Sequence, residues 1–97
     1  MPAYVIANVE VTDPAGFEEY RKQVPATIAA YGGRYLVRGG RTEAKEGSWC
    51  PQRLIVLEFE SLARAQAWLD SPEYRPLIAL RQRTAKTDLV IAEGLGP

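Results

Sequence analysis

Arg34 and Arg38 stand in the run RYLVR between two glycine pairs, Gly32-Gly33 and Gly39-Gly40. Read as an extended segment, the run puts Arg34, Leu36 and Arg38 on one side and Tyr35 and Val37 on the other. A guanidinium cannot shed its charge at any accessible pH. If that side is covered, it must therefore meet carboxylates, carbonyls or a bound anion. Arg53, Tyr20, Tyr74, Ser71, Asn8 and Glu58 complete the set of residues able to do chemistry. In one reading Arg34, Arg38 and Arg53 hold an aromatic or aliphatic carboxylate, Asn8, Glu58 and Ser71 add polar contacts, and Tyr20 or Tyr74 positions or exchanges a proton. In the other, the same groups form a closed internal network, with Glu58 paired to an arginine on an adjacent strand. The spacing alone leaves both readings open.

Other chemistries lack their residues. The sequence has no histidine, so a histidine-ligated haem or zinc site is excluded. The acidic residues do not cluster at metal-ligand spacing, and Gly39-Gly40 lacks the strand-to-helix setting and the lysine of a phosphate loop. No metal or cofactor is expected. With 12 basic and 12 acidic residues, and arginines scattered along the chain, nucleic acid is not an expected partner. No apolar run approaches a membrane span, and the lone Cys50 suits a reducing compartment, so the expected location is the cytoplasm.

The 97 residues are enough for a single domain with a modest core. Val5, Ala7, Val9 and Val11 alternate with Tyr4, Ile6, Asn8 and Glu10 in a first strand whose better core face is the first set. Asp13-Pro14 then caps and starts a helix to Tyr31, with Phe17, Val24 and Ile28 on its apolar side. Pro25 removes an amide from that helix and crowds the carbonyl of Arg21, which predicts a bend and open space beside Tyr20 and Val24. Gly32-Gly33 releases the chain into the arginine strand, and Arg41 to Pro51 is a polar loop in which Trp49 either plugs the core edge or meets a partner. QRLIVLEFE, residues 52–60, is apolar on both faces and reads as a central strand. Ser61 starts a second helix using Leu62, Ala65 and Leu69, with Trp68 at its edge. Ser71-Pro72 starts a further piece carrying Tyr74, Leu77, Ile78 and Arg81, and a last strand covers about 87–93.

This order predicts an α+β, ferredoxin-like fold, a four-stranded antiparallel sheet with its helices on one face. The other face, with Ile6 and Leu36, would then need a partner, which a homodimer joined sheet to sheet supplies.

The segments MPAYVIANVEVTDPAGFEEY, VPATIAAYGGRYLVRGG, PQRLIVLEF and DSPEYRPLIALR together resemble the uncharacterised bacterial family named domain of unknown function 1330 (DUF1330). The resemblance spans nearly the whole chain and implies a dimeric α+β barrel. It brings no established activity. Tyr20, Arg34, Arg38, Gly39, Gly40, Arg53, Glu58, Ser71 and Tyr74 occupy recurrent family positions. The wider superfamily, with its cofactor-free monooxygenases and isomerases, adds the alternative of an enzyme acting on an aromatic or delocalised organic acid.

Overall fold

The computed structural model describes residues 1–96. The elements run β1 (Ala3–Val11), α1 (Pro14–Ala30), β2 (Arg34–Arg38), β3 (Leu54–Phe59), α2 (Leu62–Leu69), α3 (Arg75–Thr84) and β4 (Ala85–Glu93). The strands form one antiparallel sheet in the order β2-β3-β1-β4. No helix among the described residues is long and apolar enough to cross a membrane.

Local signals set the helix limits. The Asp13 carboxylate accepts from Gly16 N at 3.2 Å at the start of α1. At its end Gly32 takes a φ of 75°, and Gly33 N donates to Ile28 O at 2.9 Å, closing the last turn. The Ser61 hydroxyl accepts from Arg64 N at 3.1 Å and starts α2. Pro76 falls in the first turn of α3, where a missing amide costs nothing. Pro25 lies inside α1 and the helix continues past it to Ala30.

The helices cover the face of β1 that carries Ala3, Val5, Ala7 and Val9, all buried. Trp68 is central to this core, not at its edge. Its indole is 2% exposed, stacks on Tyr74 at 4.0 Å between ring centroids and donates from Nε1 to Thr27 Oγ1 at 3.0 Å. On the opposite sheet face Ile6 and Val56 are half-buried and Val90 is 58% exposed. Trp49 is 62% exposed in the loop ahead of β3, which removes the core-plug reading of that residue.

Candidate functional site

The arginine strand departs from simple alternation. Tyr35 pairs with Leu57 and Val37 with Val56, so Leu36 is an extra residue that no residue of β3 opposes. One extra residue reverses every side chain that follows it. Arg34, opposite Glu58, therefore lies on the open face, whereas Arg38, opposite Ile55, turns under the helices. The expectation that the two arginines share a face is overturned by this bulge.

Arg38 enters a cavity between α1, α3 and the sheet. Its guanidinium lies 4.7 Å from the centroid of the Tyr35 ring, and its Nη2 reaches Arg21 O at 3.4 Å. That carbonyl would have accepted from residue 25 in an unbroken helix, and proline has no N–H to give. Pro25 thus leaves free the acceptor that a neighbouring strand's arginine takes up. Arg53 joins Arg38 from the residue before β3, with its guanidinium 5.8 Å from the centroid of the Phe17 ring. Gly39, at φ 70°, makes room for it, because a Cβ there would lie 2.8 Å from Arg53 Nη1. Burial, followed by the charges of Arg21 and Arg38, pulls the Arg53 pKa below its usual value.

Tyr20 and Tyr74 meet deeper in the same cavity, oxygen to oxygen at 2.7 Å. Burial is the first cause raising both phenol pKa values, and the tyrosine partner raises that of Tyr20 further. Both hydroxyls accordingly stay protonated at neutral pH. One of their two protons is used between them, which leaves the other to be donated elsewhere. Ser71 holds this arrangement from behind. Its Oγ donates to Trp68 O at 2.7 Å and accepts from Tyr74 N at 3.1 Å, so it positions Tyr74 without reaching the cavity.

Asn8, Glu58 and Arg34 lie outside the cavity on the other sheet face. Asn8 bonds twice to Gln52, through Nδ2 to Oε1 and from Gln52 N to Oδ1, both at 3.0 Å, and so fixes the entry to β3. Arg34 grips one oxygen of Glu58 through Nε at 2.8 Å and Nη2 at 2.7 Å. Of the eight residues singled out from sequence, the structure brings Tyr20, Tyr74, Arg38 and Arg53 to one cavity and leaves the other four elsewhere.

Residues 2–95 match the family described as domain of unknown function (DUF1330). The chain belongs to that family. No curated protein matches it. Among solved structures, a protein of unknown function from Rhodopseudomonas palustris is similar with a TM-score of 0.77 at 17% identity, over 99% of this chain and 84% of that one. A dimeric ferredoxin-like protein of unknown function from Jannaschia sp. CCS1 is similar with a TM-score of 0.71 at 12% identity, over 97% and 100%. SnoaB, a cofactor-independent oxygenase from Streptomyces nogalater, is similar with a TM-score of 0.67 at 13% identity, over 99% and 95%. At these identities the likeness is one of fold.

The cavity of this DUF1330 protein also takes in two arginines outside the eight candidates, the exposed Arg21 of α1 and the buried Arg81 of α3. Arg81, in the last turn of α3, is only 8% exposed and lines the same space as the tyrosine pair. Its spacing after Tyr74 and Leu77 was the available signal, since it places a charge on the stripe that faces the core.

Proposed function

We propose that this DUF1330 protein is a single-domain homodimer that binds a small organic acid in the cavity under α1, with Arg38 and Arg53 meeting the carboxylate and the Tyr20–Tyr74 pair offering a hydroxyl. One observation carries the reading. Arg21, Arg38, Arg53 and Arg81 all line the cavity, no carboxylate does, and the Nε atoms of Arg53 and Arg81 are buried without a hydrogen-bond partner. Uncompensated buried charge is costly, and a ligand anion is the partner that the protein itself does not provide. The space open to the centre of a water molecule is about 50 Å³, enough for several waters or a small carboxylate. Larger acids require the exposed side chain of Arg21, which lines the cavity, to swing outward.

Recognition is favoured over turnover. A cofactor-independent oxygenase or an isomerase working on a delocalised acid needs a base to draw off a proton. The cavity lining offers neither carboxylate nor histidine, and its buried tyrosines hold their protons. The dimer is supported by Ile6, Val56 and Val90 on the open sheet face and by the dimeric ferredoxin-like proteins that share this fold. The exposed, unpaired thiol of Cys50 suits a reducing cytoplasm.

Isothermal titration of the intact protein with small mono- and dicarboxylates tests the site. Saturable binding is expected, weakened tenfold or more by Arg38→Ala and by Arg53→Ala while circular dichroism stays unchanged. Binding by none of these acids, or binding indifferent to both substitutions, would remove the proposal.

A further inference from the structure

The cavity presents guanidinium from two sides. Arg38 and Arg53 come from β2 and the start of β3, whereas Arg81 comes from α3, which packs against α1 and β4. In the sheet β1 separates β3 from β4, so the start of β3, which carries Arg53, and β4, against which α3 packs, are two strand spacings apart, roughly 10 Å. Val5, Ala7, Leu57 and Leu89 form an apolar floor in the same cavity. Arg81 is the most buried of the three. It is 8% exposed, its Nε has no partner, and no salt bridge among the described residues includes it. Its place in the last turn of α3 gives it the negative end of the helix dipole, equivalent to about half a charge. That leaves the remainder, and an open hydrogen-bond position, for something else.

We infer that the cavity selects acids with an anionic group at each end of a short apolar body, dicarboxylates above all, one end held by Arg38 and Arg53 and the other by Arg81. A monocarboxylate satisfies one side only and leaves the other guanidinium as it stands. The inference rests on the acid-site reading above, and it adds the number and placement of charges on the ligand.

The experiment is calorimetry at fixed ionic strength with pairs matched in carbon number, pentanoate against glutarate and hexanoate against adipate. In the native protein the better-fitting diacid should bind at least about tenfold more tightly than its monoacid. Arg81→Leu should erase that advantage, bringing diacid affinity down to that of the matched monoacid, because an apolar side chain replaces the guanidinium at the second end. Arg81→Gln serves the same purpose should the leucine variant fail to fold, which circular dichroism will show. Equal affinity for diacid and monoacid, or an advantage that survives in the Arg81 variants, overturns the two-ended selection while the acid site stands on its dependence on Arg38 and Arg53. Failure of every acid to bind removes both.

Discussion

The two faces of the sheet handle charge in opposite ways. On the open face two polar pairs close within the protein: Arg34 holds Glu58, and Asn8 holds Gln52. On the helix-covered face four guanidiniums line one cavity: Arg21 reaches Glu18 at 3.7 Å, Arg38 takes the carbonyl that Pro25 left free, and Arg38 and Arg53 lie against the rings of Tyr35 and Phe17. Internal pairing on the open face fits a structural role, and its scarcity under the helices is what supports the proposed site. The open face has its own unmet requirement, which is apolar. Ile6, Val56 and Val90 lie there, and the proposed dimer would cover them as the proposed acid would meet the arginines.

The sharpest break in this comparison comes from a charge placed on the open face. Val56 lies between Ile6 of β1 and Val37 of β2, so Val56→Asp puts a carboxylate in the middle of the apolar patch. In a sheet-to-sheet dimer the two copies would be desolvated against each other at several kcal/mol, about a hundredfold or more in the dissociation constant. Sedimentation equilibrium should show the native protein as a dimer at micromolar concentration and the variant as a monomer, with lowered thermal stability. A native monomer would mean that the open face is left to solvent.

A smaller effect is expected within the covered face. Tyr20→Phe removes one member of the hydroxyl pair and leaves Tyr74 OH without its partner, at a cost of about 1–3 kcal/mol in urea unfolding. The double variant Tyr20→Phe/Tyr74→Phe should recover part of that loss, since no orphaned hydroxyl remains. Alkali provides a second readout. Both phenols have folded pKa values raised, first by burial, so above the ordinary phenol value of about 10 the unfolded chain releases protons that the folded chain keeps. Stability should be level below that pH and fall as pH rises beyond it. The double variant should fall less steeply, and equal slopes would mean that the pair is not the buried unit described.

The element order was legible because its signals are local. Period-two alternation marks β1 and β3, Asp13-Pro14 and Ser61 mark helix starts, and Gly32 marks an end. What was illegible depends on pairing between segments. The bulge at Leu36 exists only in the register of β2 against β3, and nothing in RYLVR itself announces that Arg34 and Arg38 part company there. Trp68 looked peripheral because α2 is too short for its pattern to show which side meets the core, and only the packing of Tyr74 and Thr27 against the indole decides it. Arg81 was visible on the apolar stripe of α3, yet its role arises from the approach of α3 to α1, which no spacing records.

The smallest expected effect concerns the Arg34–Glu58 pair, and it measures how dry the open face becomes on assembly. Arg34 is 71% exposed at its side chain and Glu58 24%, so in the isolated subunit water competes for the arginine more than for the carboxylate. Arg34→Ala should cost no more than about 1 kcal/mol in urea unfolding, and high salt should shrink the loss, because exposed pairs are screened. A sheet-to-sheet dimer makes the same substitution more informative. If the partner's sheet removes water from Glu58, truncating its only guanidinium strands a buried carboxylate, and the cost rises toward 3 kcal/mol with little response to salt. The pair lies near one end of β2, an edge strand, which argues for the rim of such an interface and for the smaller value. Measuring Arg34→Ala in both the native and the Val56→Asp background separates the cases. Equal costs in the two place the pair at the rim, and a cost that drops sharply in the Val56→Asp background places it inside the interface.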